Sequence, residues 1–108
     1  ASIALFVIGV PIVREVGPSF NNTAWINGSP TGSERSPRCG MIGALESEVL
    51  SLGMSKAEVE LYLGTPDVAS ENGRLFTYNL GACVLDYDVY TLEFDEADQL
   101  IAFRYVQG

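Results

Sequence analysis

Two cysteines, Cys39 and Cys83, and six carboxylates near the C-terminal end, Asp86, Asp88, Glu93, Asp95, Glu96 and Asp98, are the residues whose type and spacing could do chemistry in this chain of 108 residues. Histidine is absent, which removes the commonest metal ligand and general base, and with it most hydrolytic triads and zinc sites. The carboxylates lack the spacing and the glycine of a calcium loop. On a strand, alternate residues point to opposite faces, and Asp95 to Asp98 read as a turn, so the cluster is expected to be a solvated rim. A catalytic pair would need one carboxyl in an apolar pocket. Nothing in the sequence spells a nucleophile elbow, a phosphate loop or a dinucleotide fingerprint. The reading assigns no catalytic residue, no metal and no cofactor, and expects a protein that is not an enzyme.

The cysteines leave two readings open. In an oxidising compartment they would close a loop of 45 residues (83 − 39 + 1), which the chain-entropy account values at roughly 4 kcal/mol. Otherwise they are two unpaired thiols, with Cys83 in the apolar setting Ala82-Cys83-Val84, because spacing alone cannot show whether the sulfurs meet.

The elements that would position these residues are best marked at Leu52 to Asp67, LGMSKAEVELYLGTPD. Ser55 is a good N-cap and Glu58 follows three residues later, the pattern of a capping box, with Met54 and Val59 at the staple positions. Gly64 can adopt the positive φ that closes a helix, and Pro66 cannot continue one. A helix over 56–63 is expected, docking Val59, Tyr62 and Leu63, since two turns do not hold alone in water. Upstream, Met41, Leu45, Val49 and Leu50 recur at helical spacing. Downstream, Asn72-Gly73 marks a turn. Three strands then alternate with period two: 74–80 with Phe76, Tyr78 and Leu80 on one face, 87–94 with Tyr90, Leu92 and Phe94, and 100–105 with Ile101, Phe103 and Tyr105. The fold class expected is α+β: two short helices on one face of a three-stranded antiparallel sheet.

In order and spacing, LGMSKAEVELYLGTPD, FTYNLG and YTLEFDEADQLIAF resemble the SmpA/OmlA (BamE-like) small periplasmic domain family. The match falls on Gly53, Met54, Ser55, Val59, Leu63, Gly64, Pro66, Tyr78, Leu92, Phe94 and Asp95, and spans about 41–105. The resemblance implies two helices packed on a small antiparallel sheet and a role in holding other proteins, without an active site. The chain departs from lipid-anchored members at Cys39, where Ser36-Pro37-Arg38 stands in place of the small and apolar residues that lipid attachment needs.

A hydrophobic content of 47% suits a single core, and the length is too short for two. The net charge of −8, with six scattered Lys and Arg, argues against nucleic acid and an anionic bilayer surface. The mean hydropathy of +0.18 is high for a soluble domain, and the uncharged run IALFVIGVPIV accounts for much of it. Ile3, Leu5, Phe6, Val7, Ile8, Val10, Ile12 and Val13 read as the end of a membrane anchor, with lipid met through residues 1–13. A signal-peptide core and a buried strand are the alternatives, the run being too short to span hydrocarbon alone. Three segments follow: an apolar segment over 1–16, an irregular linker or docking segment over 17–38, and the α+β domain over 39–108. In the linker, Phe20, Trp25 and Ile26 are candidate partner contacts, though Trp25 could instead pack on the domain. The function expected is a periplasmic interaction module at the inner membrane, an accessory or assembly subunit of a membrane complex. The alternative is a secreted inhibitor resembling one unit of a β-lactamase inhibitory protein.

Overall fold

The structure, a computed structural model, describes residues 19–108; the expected membrane segment over Ile3 to Val13 lies outside them. Helix α1 (Asn22–Ile26) comes first. A helical stretch of changing pitch follows: a 3-10 turn over Pro37–Met41, a short α2 (Ile42–Ala44) and a π turn over Leu45–Val49. Helix α3 (Lys56–Leu63) leads to four strands, β1 (Val68–Ser70), β2 (Leu75–Gly81), β3 (Asp88–Phe94) and β4 (Leu100–Val106). They form one antiparallel sheet in the order β1-β2-β3-β4.

Helix α3 has the ends its sequence spells. The Ser55 hydroxyl accepts the Glu58 N–H at 3.1 Å, and the Glu58 carboxylate accepts the Ser55 N–H at 3.0 Å, so two donors at the helix start are satisfied reciprocally. Gly64 closes the helix at φ 74°, and a Cβ there would lie 2.9 Å from the Ile26 side chain. Val59 and Leu63, four apart, are buried. Tyr62, expected to dock with them, stands on the flank of that stripe and is exposed.

The first expected helix does not keep one pitch. Leu50 N–H donates to Leu45 C=O at 2.9 Å, five residues back, which is the bond that defines a π turn. That wider turn brings Leu45 and Leu50 to the core together, and both are buried with Met41.

Four strands replace the three expected. Val68 pairs with Thr77 and Ser70 with Leu75, across a turn whose residues Glu71, Asn72 and Gly73 all have positive φ. Strand β1, Val68-Ala69-Ser70, is short and largely exposed, so it is made by pairing to β2 and carries no buried face of its own. In β4 the expected face is also corrected. Glu93 pairs with Ala102 but Phe94 with Leu100, so Ile101 is the extra residue of a bulge. The bulge shifts the period by one: Leu100 is buried and Ile101 is 48% exposed.

The inner face of the sheet, Phe76, Tyr78, Leu80, Tyr90, Leu92, Phe94 and Leu100, packs beneath the helical layer as one core. Phe76 and Phe94 meet edge to face with ring centroids 4.9 Å apart. The expected linker contributes to this core. Asn21 caps α1 by accepting the Ala24 N–H at 3.0 Å, and Trp25 is 0% exposed, its ring 5.9 Å from that of Tyr78. The stretch from 19 to 38 is therefore an arm laid against the core.

Candidate functional site

Arg38 fastens the arm. It is buried, and its Nε donates to Trp25 C=O at 2.7 Å while Nη1 donates to Asn79 C=O at 2.9 Å and to Asp67 Oδ2 at 2.7 Å. The guanidinium also sits 5.2 Å from the Trp25 ring centre and 5.7 Å from that of Tyr78, within the range of cation–π attraction. Burial pushes the Asp67 carboxyl up, but the Ser29 hydroxyl, the Asn79 N–H and Arg38 together hold it below its usual 3.8. Main-chain bonds extend the seam: Ser36 N–H donates to Leu80 C=O and Ala82 N–H to Glu34 C=O. Gly81 has φ 70° and the Glu34 carbonyl lies where a side chain would begin, so only glycine fits.

Beyond this seam the chain between β2 and β3 forms a fixed, outward-facing loop. Cys39 and Cys83 form a disulfide with Cα atoms 5.6 Å apart, which pins the loop to the 3-10 turn. Arg35 Nη1 reaches Cys83 C=O at 3.4 Å. At the far end Asp88 is buried, and its carboxylate accepts the N–H groups of Val84 at 2.8 Å, Leu85 at 3.0 Å and Gly108 at 3.1 Å, and the Tyr105 hydroxyl. Burial alone would raise this carboxyl; the Tyr105 hydroxyl and the three N–H groups outweigh it and hold the group at about 2. Burial and the bond to Asp88 push the Tyr105 hydroxyl up to about 12.

Between these braces, Val84 is 65%, Leu85 47% and Tyr87 63% exposed. Three large apolar side chains in four residues are held out in water by a loop that has few ways to turn them inward. The loop borders the outer face of the sheet, which carries no helix among the described residues. Next to it lies a hollow of about 190 Å³ lined by Pro30, Asn79, Tyr87 and Val89, and farther along the same face a shallow one of about 290 Å³ lined by Leu75, Thr91, Glu93 and Arg104. Chemically the surface offers apolar side chains held in water. The buried carboxylate has all its donors in place and the sulfurs are tied to each other. Among the described residues no His, Cys, Asp and Glu side chains group to hold a metal, and no helix is long and apolar enough to cross a membrane.

The sequence-based candidates divide accordingly. Cys39 and Cys83 meet. Trp25 is completely buried, with Phe20 half-buried against it at 5.9 Å, so Trp25 serves the core and is not open to a partner; Ile26 is exposed. Of the acidic rim, Asp86, Glu93, Glu96 and Asp98 are exposed as expected, and Asp95 caps its own turn by accepting from Ala97 and Gln99 N–H. Asp88 is the exception, a buried structural acid. An aspartate at the end of a turn is a known local signal, and it could have marked Asp88. Arg38 and Asp67 have no such signal, since their meeting depends on chain contacts far apart in sequence.

Comparison with protein-family models, with curated proteins and with solved structures gives no match to this chain. The site is read from its geometry.

The depressed carboxyls make stability depend on acid. A group whose folded pKa lies below its unfolded value contributes above the unfolded value and loses that contribution as pH falls through the folded one. For Asp88 the window runs from about 3.8 down to about 2, and Asp67 shifts in the same direction. Thermal melts stepped from pH 5 to pH 2 are expected to fall most below pH 4, and Asp88→Asn to flatten that fall. An unchanged slope in the variant would remove Asp88 from the account.

Proposed function

We propose that this chain is a non-enzymatic protein-interaction module, an accessory or assembly subunit of a bacterial membrane protein complex. One observation supports it above the others: a loop tied at Cys83 and at Asp88 that keeps Val84, Leu85 and Tyr87 in solvent. Exposed apolar residues on a rigid scaffold lose little entropy on binding, and Tyr is enriched among the residues that dominate interface energies. The disulfide suits an oxidising compartment, as the SmpA/OmlA resemblance implies, and the apolar run over Ile3 to Val13 suits an anchor in the inner membrane with the domain in the periplasm. Other proteins of the complex would be met through the loop and the adjoining open sheet face.

A second reading, a secreted inhibitor similar to one unit of a β-lactamase inhibitory protein, draws on the same fastened loop, whose exposed apolar side chains would fill a partner's cleft.

The test is purification of the native complex from detergent-solubilised membranes through the full chain, beside a Leu85→Asp, Tyr87→Ser variant. The expected result is a partner that co-purifies with the wild type and is lost from the variant, at an unchanged melting temperature. Full solubility without detergent would favour the secreted inhibitor, and a partner retained by the variant would move the contact off the loop.

A further inference from the structure

Among the described residues the two edges of the sheet are unequal: β1 has three residues, whereas β4 has seven, LIAFRYV. Natural proteins protect edges with shortness, proline, charge or a bulge. Strand β4 has one charged side chain, Arg104, and its bulge lies at its beginning, at Ile101. The direction of its main-chain groups follows from the ladder. Phe94 N–H donates to Arg74 C=O on the β2 side, so by alternation Glu93, Thr91 and Val89 point toward β4 and bond Ala102, Arg104 and Val106. Phe103 and Tyr105 therefore turn their N–H and C=O groups away from the sheet. Earlier on the strand the same outward position is filled: Leu100 N–H donates to Met54 C=O at 2.8 Å and its C=O accepts from Gly53 at 2.7 Å.

We infer that a second copy of this chain pairs with the edge of β4, which no described residue covers beyond Leu100, antiparallel, about a two-fold axis at Tyr105. Such an edge is self-complementary, because each copy offers alternating donors and acceptors that the other can meet. Of the registers that keep outward groups opposite outward groups, those centred on Phe103, Arg104 and Tyr105 overlap the two strands most. Centred on Phe103, the second copy would run into Gly53 and Met54, which already occupy the edge beside Leu100. Centred on Arg104, two guanidinium groups would stand directly opposite, which is repulsive. Centred on Tyr105, Phe103 meets Gln107 of the second copy, Arg104 faces Val106, and about six main-chain bonds close the joint. Charge points the same way: in a chain of net charge −8, β4 carries no carboxylate, so two copies can approach along it without setting acid against acid. The result would be one continuous sheet of eight strands, independent of whether the 81–88 loop meets a partner.

Sedimentation equilibrium of the full chain over a wide concentration range tests this, with melts at low concentration to confirm folding. The expected result is a mass that doubles and then stops rising. Gln107→Pro removes an outward N–H without touching the ladder to β3 and is expected to weaken the dimer. Val106→Lys sets a second cation opposite Arg104 twice over, for about tenfold weakening, while Val106→Glu strengthens it. A chain that stays monomeric overturns the inference, as does a dimer that both Val106 substitutions shift in the same direction.

Discussion

Replacing Arg38 with alanine is expected to lower the stability of the fold by about 3–5 kcal/mol, the usual cost of breaking a buried ion pair from one side. The substitution strips three acceptors at once, Trp25 C=O, Asn79 C=O and the Asp67 carboxylate, and leaves the two rings flanking an empty space. Lysine cannot restore the arrangement, because a point charge does not reproduce the fork that reaches all three. Urea unfolding followed by fluorescence reads the result directly, since Trp25 is the single tryptophan and lies under the lost guanidinium. An Asp67→Ala change made on top of Arg38→Ala is expected to add much less than it costs alone, because the two residues are in contact. A loss below about 1 kcal/mol for Arg38→Ala, in the range of an exposed pair, would mean that the arm is held by Trp25 packing alone.

The second large effect belongs to the disulfide. Its cysteines are 44 positions apart, and removing the link from the unfolded chain's constraints is expected to cost roughly 4 kcal/mol. A Cys39→Ser, Cys83→Ser variant, or the wild type in reductant, is expected to melt well below the oxidised chain. Alkylation without reductant followed by mass analysis checks the link itself: no label on protein from an oxidising compartment is the expected outcome. Equal melts with and without reductant would show that Arg38 and the main-chain seam already fix the loop.

What could be read beforehand was what is local. Helix α3 was legible to the residue because Ser55, Glu58 and Gly64 write its two ends within ten positions, and the alternation of β2 and β3 placed Tyr78 and Leu92 inward without a partner in view. Period counting failed at Ile101, since a bulge inserts a residue that no pattern announces. It failed again at β1, whose three residues become a strand only because Thr77 and Leu75 pair with them. The arm was the largest omission. Its Gly, Ser, Pro and Asn content reads as linker, and what turns it into structure is Arg38 reaching residues 29 and 41 positions away. The cysteines stood between these cases, a pairing that sequence could offer but only the meeting of two distant turns could decide. The candidate site follows suit: apolar Val84, Leu85 and Tyr87 were visible as residues, but their exposure depends on Asp88 folding back under the loop.

Among the described residues the sheet joins each strand only to its neighbour in sequence, so these pairings close short stretches of chain, and topologies of that kind form quickly. The arm is the opposite case. Its fastenings, from Arg38 to Asn79 and from Cys39 to Cys83, span 41 and 44 positions. During synthesis the arm therefore emerges long before the strands that receive it, and its tryptophan has no berth until β2 is complete. The order expected of such a chain is sheet first, then the arm docking onto it, with the sulfurs brought together last.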